Sequence, residues 1–434
     1  MLLFLRQTPN LWFNEKKMSQ AVLLDVVSSI KDGWSVMHLY VKSAREVDKP
    51  GYCVTVSHTP EFFVALDGDF DVHRFVSEHR ALIAEFATVN DRLVLDESKD
   101  EEAHFARFRT RTHDDATKLL RELGKLECAC YNVFDDPLDE FVARHGLCSG
   151  SLVTFTNLRE SAKGDGLTCD TFHVDHNLVE CPLSKLYYSV DREDTITYFF
   201  VCGFTYHNIE TLKGRDGRLP VDEFFNVIQR LDPDVLITHG AFKEKDPLAF
   251  MMRLSKVDIS RHPGATFSKK LDAYCGGRVS VNMSAIRSIA GHNPEADVSI
   301  EKLAQTLHVF EENEFPAADD PHRRLRLICR VDSVCNVTKG LYVTAHTYGL
   351  TVNQLLGATF DSRCDVLFLT HAQVANVLVP RRGTTPNVER VCVRKVSLGY
   401  YKGPVACLSI MNMRYAIVIN EDFHNCAQSA IGRN

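Results

Sequence analysis

The sequence predicts an α/β fold, and two patterns along the chain support this prediction. Between residues 186 and 237, runs of β-branched and aromatic residues read as two strands, a helix and a further strand. From Val298 onward the apolar spacing becomes mainly helical, and strand-like runs return only near the end. Strands that alternate with helices are typical of α/β domains. With 434 residues, 45% hydrophobic and 25% charged, the chain can bury several cores, which excludes wholesale disorder.

The first part of the chain predicts mixed helical and strand structure. Asp91–Lys125 is rich in charge and predicts an exposed loop followed by a helix that ends near Gly124. Asp139–Gly146 has helical spacing, and Ser151–Phe155 reads as a strand. Leu158–Pro182 predicts a polar connection that leads to the next region.

The middle of the chain carries the clearest α/β pattern. Leu186–Val190 predicts a strand, and Thr195–Phe204 predicts a second strand at hairpin distance. Pro220–Arg230 has its apolar residues at helical spacing and predicts a helix. Val235–Ile237, just after a Pro-Asp pair, predicts another short strand.

The last part of the chain predicts helices and then strands. Arg323–Tyr348 reads as one long helix, followed by helices at Thr351–Leu356 and Cys364–Val377. Strands are expected at Val405–Leu408 and Tyr415–Asn420. These changes of pattern place domain boundaries near residues 180 and 340.

The composition limits the class of protein and its compartment. A formal net charge of −7 excludes a globally basic nucleic-acid binder but not a local basic channel. Fourteen cysteines without a C-x-x-C pair predict free thiols in a reducing, intracellular compartment. The apolar start of the chain stops at Arg6, and no apolar run reaches the roughly 18 residues of a membrane helix, so we expect neither a signal peptide nor a membrane partner.

Four carboxylates stand out as candidates for metal chemistry. Asp191 and Glu193 end a predicted strand, where a period of two puts both on one face. Asp246 follows the strand at Val235–Ile237, and Asp332 lies among apolar residues of a predicted helix. Carboxylates on separate elements can hold two Mg²⁺ ions about 4 Å apart, which is an arrangement suited to hydrolysis at phosphorus.

Each of these carboxylates also has an ordinary structural interpretation. An Asp-x-Glu pair at a strand end is usually solvated, and Asp246 has lysines beside it as in any charged loop. Asp332 could form an ion pair with Arg330 or Arg326 on its own helix. The order of the four residues, rather than any one of them, favours a metal centre.

Several segments together resemble a family B DNA polymerase, from its N-terminal domain through its 3′→5′ proofreading exonuclease. The strand that ends in Asp191-Arg192-Glu193 is similar to the first exonuclease motif of that family. The segments that match later motifs and connecting elements, in chain order, are Leu231–Gly240, Gly276–Val279, Val298–Ala304, Ile328–Asp332, Thr347–Leu350, Tyr401–Pro404 and Tyr415–Phe423.

The resemblance implies an RNase H-like exonuclease domain at residues 181–340, preceded by an N-terminal mixed α/β domain at 1–180. Residues 341–434 would form a helical connection and the first strands of an incomplete polymerase palm. Asp191, Glu193 and Asp332 would bind two Mg²⁺ or Mn²⁺ ions, Asp246 would bridge the second ion, and Asp422 would be the first metal ligand of the polymerase centre. The implied partner is DNA, as a single-stranded 3′ end and as a primer-template.

Further residues are candidates for contact with DNA. The cluster Arg323, Arg324 and Arg326 can contact phosphates, although such clusters are more often solvated helix faces. Phe242 can stack on a base or belong to the core. Tyr401, Lys402 and Gly403 match the family's Tyr-x-Gly-Gly segment by resemblance.

The sequence departs from the family at several positions. Gly240 stands where the second exonuclease motif has Asn, and Ile328 stands where the third has the Tyr that helps to position water. Ala427 replaces the motif A Tyr that helps to exclude ribonucleotides. The finger helix and the later Asp-Thr-Asp motif are absent, so we expect no primer extension by this chain alone and a possible second chain that supplies the remainder.

Three functions therefore remain open from the sequence. The first is proofreading exonuclease activity within a family B polymerase, and the second is a catalytically degenerate, polymerase-like DNA-binding scaffold or subunit. The third is a stand-alone nuclease of the same fold, against which the motif A lead-in argues. A divergent or split polymerase suggests a virus or mobile element, with the nucleus or a viral replication site as its place of action.

Overall fold

The computed structural model describes most of the chain between Ser19 and Val379. The described residues are 19–43, 51–66, 70–89, 93–94, 104–160, 167–179, 183–191, 195–203, 205–214, 218–240, 248, 251–252, 259–261, 276–285, 299–310, 315–317, 320, 322–358, 360–374 and 377–379. They fall into two compact units, the first drawn from residues 1–58 and 145–358, and the second from residues 59–144 and the chain after 358. The domain boundaries predicted near residues 180 and 340 divide the chain into three consecutive segments, and they stay predictions.

The first unit contains a seven-stranded and a six-stranded sheet. The seven-stranded sheet comprises β1 (Ser19–Lys31), β2 (Trp34–Lys42), β3 (Tyr52–Ser57), β9 (Ser151–Thr156), β10 (Arg159–Glu160), β11 (Leu167–Thr168) and β12 (Thr171–Leu178), in the order β10-β11-β3-β2-β1-β9-β12. The six-stranded sheet comprises β13 (Lys185–Asp191), β14 (Thr195–Cys202), β15 (Thr205–Tyr206), β16 (Glu210–Lys213), β17 (Val235–Thr238) and β18 (Val279–Asn282).

The six-stranded sheet is the framework of the candidate site. Its order is β15-β14-β13-β17-β18, with β16 also paired to β14. β13 and β14 form an antiparallel hairpin, whereas β13, β17 and β18 run parallel. The carboxyl ends of the three parallel strands therefore lie at one edge of the sheet, and the amino end of β13 lies at the opposite edge.

Helices cover both faces of this sheet. On one face, α4 (Val221–Leu231) packs Phe224, Phe225 and Ile228 against Leu186 and Tyr188 of β13. On the other face lie α5 (Ile300–Thr306), α6 (Arg323–Cys335), α7 (Val337–Tyr348) and α8 (Val352–Gly357). Because alternate strand residues point to opposite faces, β13 divides its side chains between two cores.

The second unit has its own core. It contains β4 (Glu61–Ala65), β5 (Ile83–Val89), β6 (Leu93–Val94), β7 (Phe105–Thr110), β8 (Cys130–Tyr131), β19 (Val377–Leu378), α1 (Val72–Glu78), α2 (His113–Lys125), most of α3 (Pro137–His145) and α9 (Phe360–Val374). The four-stranded sheet has the order β5-β7-β4-β8, and α1 and α2 bury its apolar face.

Most strands and helices predicted from the sequence are confirmed within one to four residues at their ends. Two stretches were wrong. The predicted loop ahead of α2 contains the buried strand β7, and the predicted polar connection contains the eight-residue strand β12. The strands expected at Val405–Leu408 and Tyr415–Asn420 lie outside the described residues.

The predicted long helix at Arg323–Tyr348 was also wrong, because two helices occupy this stretch. Asn336, between α6 and α7, takes a left-handed conformation with φ 50°. The backbone N–H of Thr338 donates to Asp332 Oδ1 over 2.9 Å instead of to the carbonyl four residues earlier. The carboxylate of Asp332 thus accepts a hydrogen bond that a backbone carbonyl would accept in a continuous helix, and the chain turns at Asn336.

Candidate functional site

The carboxyl edge of the six-stranded sheet is where the sequence predicts metal-binding carboxylates. Asp191 is the last residue of β13, in register with Thr195 at the start of β14. Nothing is described of its side chain, and Glu193, Asp246 and Phe242 lie outside the described residues. At the ends of the neighbouring strands, Asn282 Oδ1 accepts hydrogen bonds from the backbone N–H of Gly240 at 3.2 Å and from the hydroxyl of Ser284 at 2.8 Å.

An arginine from the amino end of α6 reaches this same edge. Nη2 of Arg324 donates to the carbonyl oxygen of His239 over 2.7 Å. A Cβ atom at Gly240 would lie 3.5 Å from that nitrogen, in ordinary contact. The amino end of α6 therefore brings a guanidinium group, one of the three arginines predicted to contact phosphate, to the carboxyl edge of the sheet.

Asp332 lies near the other end of α6, in a pocket that the protein fills with hydrogen-bond donors. Oδ2 accepts from Lys185 Nζ and from the hydroxyl of Tyr187, each at 2.7 Å. Oδ1 accepts from the backbone N–H of Thr338 at 2.9 Å and from its hydroxyl at 2.8 Å. A carboxylate has about four lone-pair positions, and these four donors occupy all of them.

The surroundings keep Asp332 ionised although it is only 1% exposed. Burial alone would raise the pKa of this carboxyl, but the Lys185 ammonium and the donated hydrogen bonds hold its pKa below the ordinary value. Burial and the adjacent Asp332 charge raise the pKa of Tyr187, so its hydroxyl remains a donor. The group formed by Lys185, Tyr187, Asp332 and Thr338 is called here the Asp332 cluster.

The Asp332 cluster lies at the amino end of β13. Lys185 is the first residue of this strand and Asp191 the last. At about 3.3 Å per residue, their backbones are about 20 Å apart. The structure thus brings Asp332 to Lys185 and Tyr187, whereas the metal-binding prediction requires Asp332 to lie beside Asp191.

The remaining predicted residues have diverse surroundings. The guanidinium of Arg323 lies over the ring of Phe315 at 5.0 Å, and Arg326 Nε lies 3.1 Å from Asp320 Oδ2. Ile328 is fully buried in the core beside the sheet, so it contributes packing. Tyr401, Lys402, Gly403 and Asp422 lie outside the described residues.

Sequence reasoning missed the partners of Asp332. It considered Arg330 and Arg326 on the same helix, but the ammonium that pairs with Asp332 belongs to Lys185, 147 residues earlier. One signal was available, since Lys185 directly precedes the predicted strand Leu186–Val190 and shares a strand face with Tyr187, and a lysine on a buried face requires an anionic partner. Nothing in the sequence identifies which carboxylate that partner is.

Among the described residues, no group of three or more His, Cys, Asp or Glu side chains is arranged to hold a metal ion. Asp332 does not fit the role of ligand, because protein donors take the lone pairs that a metal ion would need. The centre with Asp191, Glu193 and Asp246 stays a prediction.

Comparison with known proteins identifies the fold. No family model matches the chain, and no curated protein matches it. Among solved structures, the family B DNA polymerase from the hyperthermophilic archaeon Pyrobaculum calidifontis matches with a TM-score of 0.65 and 13% sequence identity. This chain shares its fold with a family B DNA polymerase. The match covers 84% of this chain and 52% of the archaeal polymerase, so the chain spans about half of that protein's length.

The polymerase-like fold agrees with the resemblance first seen in the sequence motifs. At 13% identity the likeness concerns the fold, and each catalytic residue has to be judged from its own surroundings.

No helix among the described residues is long and apolar enough to cross a membrane.

Proposed function

We propose that this chain is the N-terminal and exonuclease-like portion of a family B-type DNA polymerase and that it binds DNA for that enzyme. The single observation that carries the proposal is the polymerase-like fold, which extends over 84% of the chain. The order of motifs along the sequence agrees with it. Polymerisation would require palm, fingers and thumb from a further segment or a second chain, with Asp422 as one metal ligand.

The surroundings of Asp332 favour a DNA-binding module without exonuclease chemistry. A two-metal nuclease needs acidic oxygens that are free to bind cations. In this chain the carboxylate of Asp332 already bonds a lysine, a tyrosine and a threonine. Its negative charge is compensated within the protein. The function we propose first is therefore that of a DNA-binding scaffold derived from a degenerate exonuclease.

The second candidate is an active 3′→5′ proofreading exonuclease. The position of Asp191 at the carboxyl end of β13 favours it, because Glu193 and Asp246 follow strands that end at the same edge. Two Mg²⁺ or Mn²⁺ ions bound there would activate water and stabilise the leaving oxygen at phosphorus. Asp191, Glu193 and Asp246 would hold the ions, and Arg324, at the same edge, would hold a phosphate of the 3′ end.

One experiment separates these candidates. Purified protein and an Asp191→Ala variant are incubated with 5′-labelled single-stranded DNA and with a mismatched primer-template, in Mg²⁺ or Mn²⁺, and binding is followed by fluorescence anisotropy. Binding without digestion by either protein supports the scaffold. A ladder that shortens from the 3′ end and is lost in the variant supports the exonuclease and overturns the scaffold reading. Failure to bind either DNA contradicts both candidates.

Action in the nucleus or at a viral replication site, within a reducing compartment, would agree with this proposal. None of the nine described cysteines forms a disulfide.

A further inference from the structure

A groove opens beside the amino end of β13. Its volume is about 770 Å³. It lies between the strands β14 and β15 and the outer surface of α6. The wall includes Tyr187, Phe199, Tyr206, Phe310, Arg326 and Arg330. Pockets of roughly 300–1,000 Å³ are typical of ligand sites.

Aromatic rings form one wall of this groove. Tyr206 is 69% exposed, and its ring lies against that of Phe199 with 6.2 Å between centroids and 22° between planes. A tyrosine this exposed on a two-residue strand contributes little to the core. Its open face is suited to stacking on a planar ring, as single-stranded nucleic acids require.

Basic side chains line the opposite wall. Among the described residues that line the groove, three are basic, Lys185, Arg326 and Arg330, and one is acidic, Asp320. Lys185 is neutralised by Asp332, but the side chain of Arg326 is 57% exposed and meets Asp320 through Nε. A guanidinium has five N–H donors, so this contact leaves Arg326 able to bind phosphate as well.

We infer that this groove binds single-stranded DNA, with a base on Tyr206 and a phosphate on Arg326. The inference rests on the proposed function, which makes DNA the ligand, and it adds a groove lined by β13, β14, β15 and α6. Stacked rings beside exposed guanidinium groups favour nucleic acid, because a base and its phosphate need both. A purely apolar partner would cover the exposed guanidinium of Arg326 without accepting hydrogen bonds from it.

The test measures the affinity of the full chain for a fluorescein-labelled oligothymidylate of about 12 nucleotides, a length within the range of single-strand sites. Tyr206→Ala should weaken binding about tenfold to a hundredfold, since one stacked base contributes about that factor. Tyr206→Phe keeps the ring and should stay within about twofold of the wild type. Arg326→Ala should lower the salt dependence of log K by about 0.7, the contribution of one phosphate on a single strand.

Two variants serve as matched controls. Arg74 is an exposed arginine that, like Arg326, meets a carboxylate through Nε, and Arg74→Ala should leave binding unchanged. Trp34 is an exposed aromatic residue on the other sheet, and Trp34→Ala tests whether any exposed ring matters. Thermal melting of each variant checks that the fold is retained.

The outcomes distinguish this inference from the proposed function. If the wild type binds both the oligothymidylate and a primer-template, but Tyr206→Ala and Arg326→Ala bind as well as the wild type, the groove inference is overturned and the proposed function stands. Binding to primer-template without binding to the oligothymidylate has the same consequence. An equal preference for oligouridylate overturns the assignment to DNA, and no binding to any nucleic acid overturns both.

Discussion

At the scale of single residues, the charge of Asp332 is balanced by donors that come from two different segments. Lys185 and Tyr187 belong to β13, and Thr338 is the second residue of α7, the helix after the break. A buried carboxylate without such partners would lose its charge, because desolvation favours the neutral form. The cluster therefore gives a structural reason for an acidic residue in this helix, with no metal ion required.

Asp332→Asn should destabilise the first unit by about 3 kcal/mol. The substitution keeps the size of the side chain but leaves the Lys185 ammonium without its anion, and breaking a buried pair is strongly unfavourable. Urea denaturation followed by circular dichroism measures the change. The control is Glu78→Gln, which removes the anion from an exposed pair with Arg74 and should have no measurable effect. Equal stability of Asp332→Asn and the wild type would contradict the cluster.

The pH dependence of stability provides a second residue-scale prediction. The pKa of Asp332 and that of Asp234 are both lowered in the folded protein. A lowered carboxyl pKa gives stability that is present above the unfolded value, about 3.9, and is lost as the pH falls through the folded value. The stability difference between the wild type and Asp332→Asn should therefore be constant from pH 7 to about pH 5 and shrink below about pH 4. A difference that grows on acidification would refute this assignment.

At the scale of elements, the junction between α6 and α7 depends on the left-handed residue Asn336. This conformation is disfavoured for most side chains, is tolerated better by Asn and costs Gly little. Because Asn336 is not proline or β-branched, the sequence around it predicts a continuous helix. The break depends on the bond from Thr338 to the carboxylate of Asp332, which Lys185 and Tyr187 of β13 hold in place. This is why sequence reasoning predicted one helix where the structure has two.

Asn336→Ala should destabilise the protein by about 1 kcal/mol, whereas Asn336→Gly should be neutral or slightly stabilising. Alanine gains helix propensity but must adopt a positive φ, which costs about 1–2 kcal/mol for an L residue. The two variants control for each other, since both remove the same side-chain amide and differ in their tolerance of this φ. The measurement is the urea midpoint at constant m-value. Greater stability of the alanine variant would show that the helices can merge.

The elements that the sequence predicted well share a clear apolar period. β13 alternates its two faces, and α4 places its phenylalanines on one side, so local pattern and burial agree. β12 was missed because only one of its eight residues is buried, and it therefore lacks an apolar alternation. β7 was missed because Arg107 and Arg109 suggest a solvated loop, although each pairs with a glutamate on a neighbouring strand.

The candidate site could be predicted only in part for a similar reason. The motif order along the sequence is consistent with the polymerase-like fold, and the strand ending at Asp191 was located correctly. The partner of Asp332 was not, because a contact across 147 residues depends on how strand and helix pack rather than on local spacing. The pair formed by the half-buried Phe199 and the exposed Tyr206 likewise becomes recognisable only when β14 and β15 pair.

At the scale of the whole molecule, buried charges connect segments that are far apart in the chain. Lys42 Nζ of β2 lies 2.7 Å from Asp234 Oδ2, with both side chains at most 2% exposed. Nη2 of Arg261 lies 2.9 Å from the other carboxylate oxygen, Asp234 Oδ1. Asn353, near the start of α8, donates to both Asp25 of β1 and the carbonyl of Arg278, each at 2.9 Å. The six-stranded sheet therefore takes buried partners from before residue 58 and from after residue 340.

This network predicts that residues 181–340, the domain expected from the sequence, will not fold cooperatively when expressed alone. The fragment lacks Lys42 and Asn353, so it would contain the buried carboxylate of Asp234 without its ammonium. In the full chain, Lys42→Met should reproduce this loss and destabilise the protein by about 3–5 kcal/mol, because Asp234 would keep its charge in a buried place with one cation fewer. Lys118→Met, at an exposed lysine that pairs with Asp115, should leave the stability unchanged. Differential scanning calorimetry of the fragment and of both variants measures the outcome. A sharp, reversible transition from the fragment would show that residues 181–340 form an independent domain and that the buried network is dispensable for its folding.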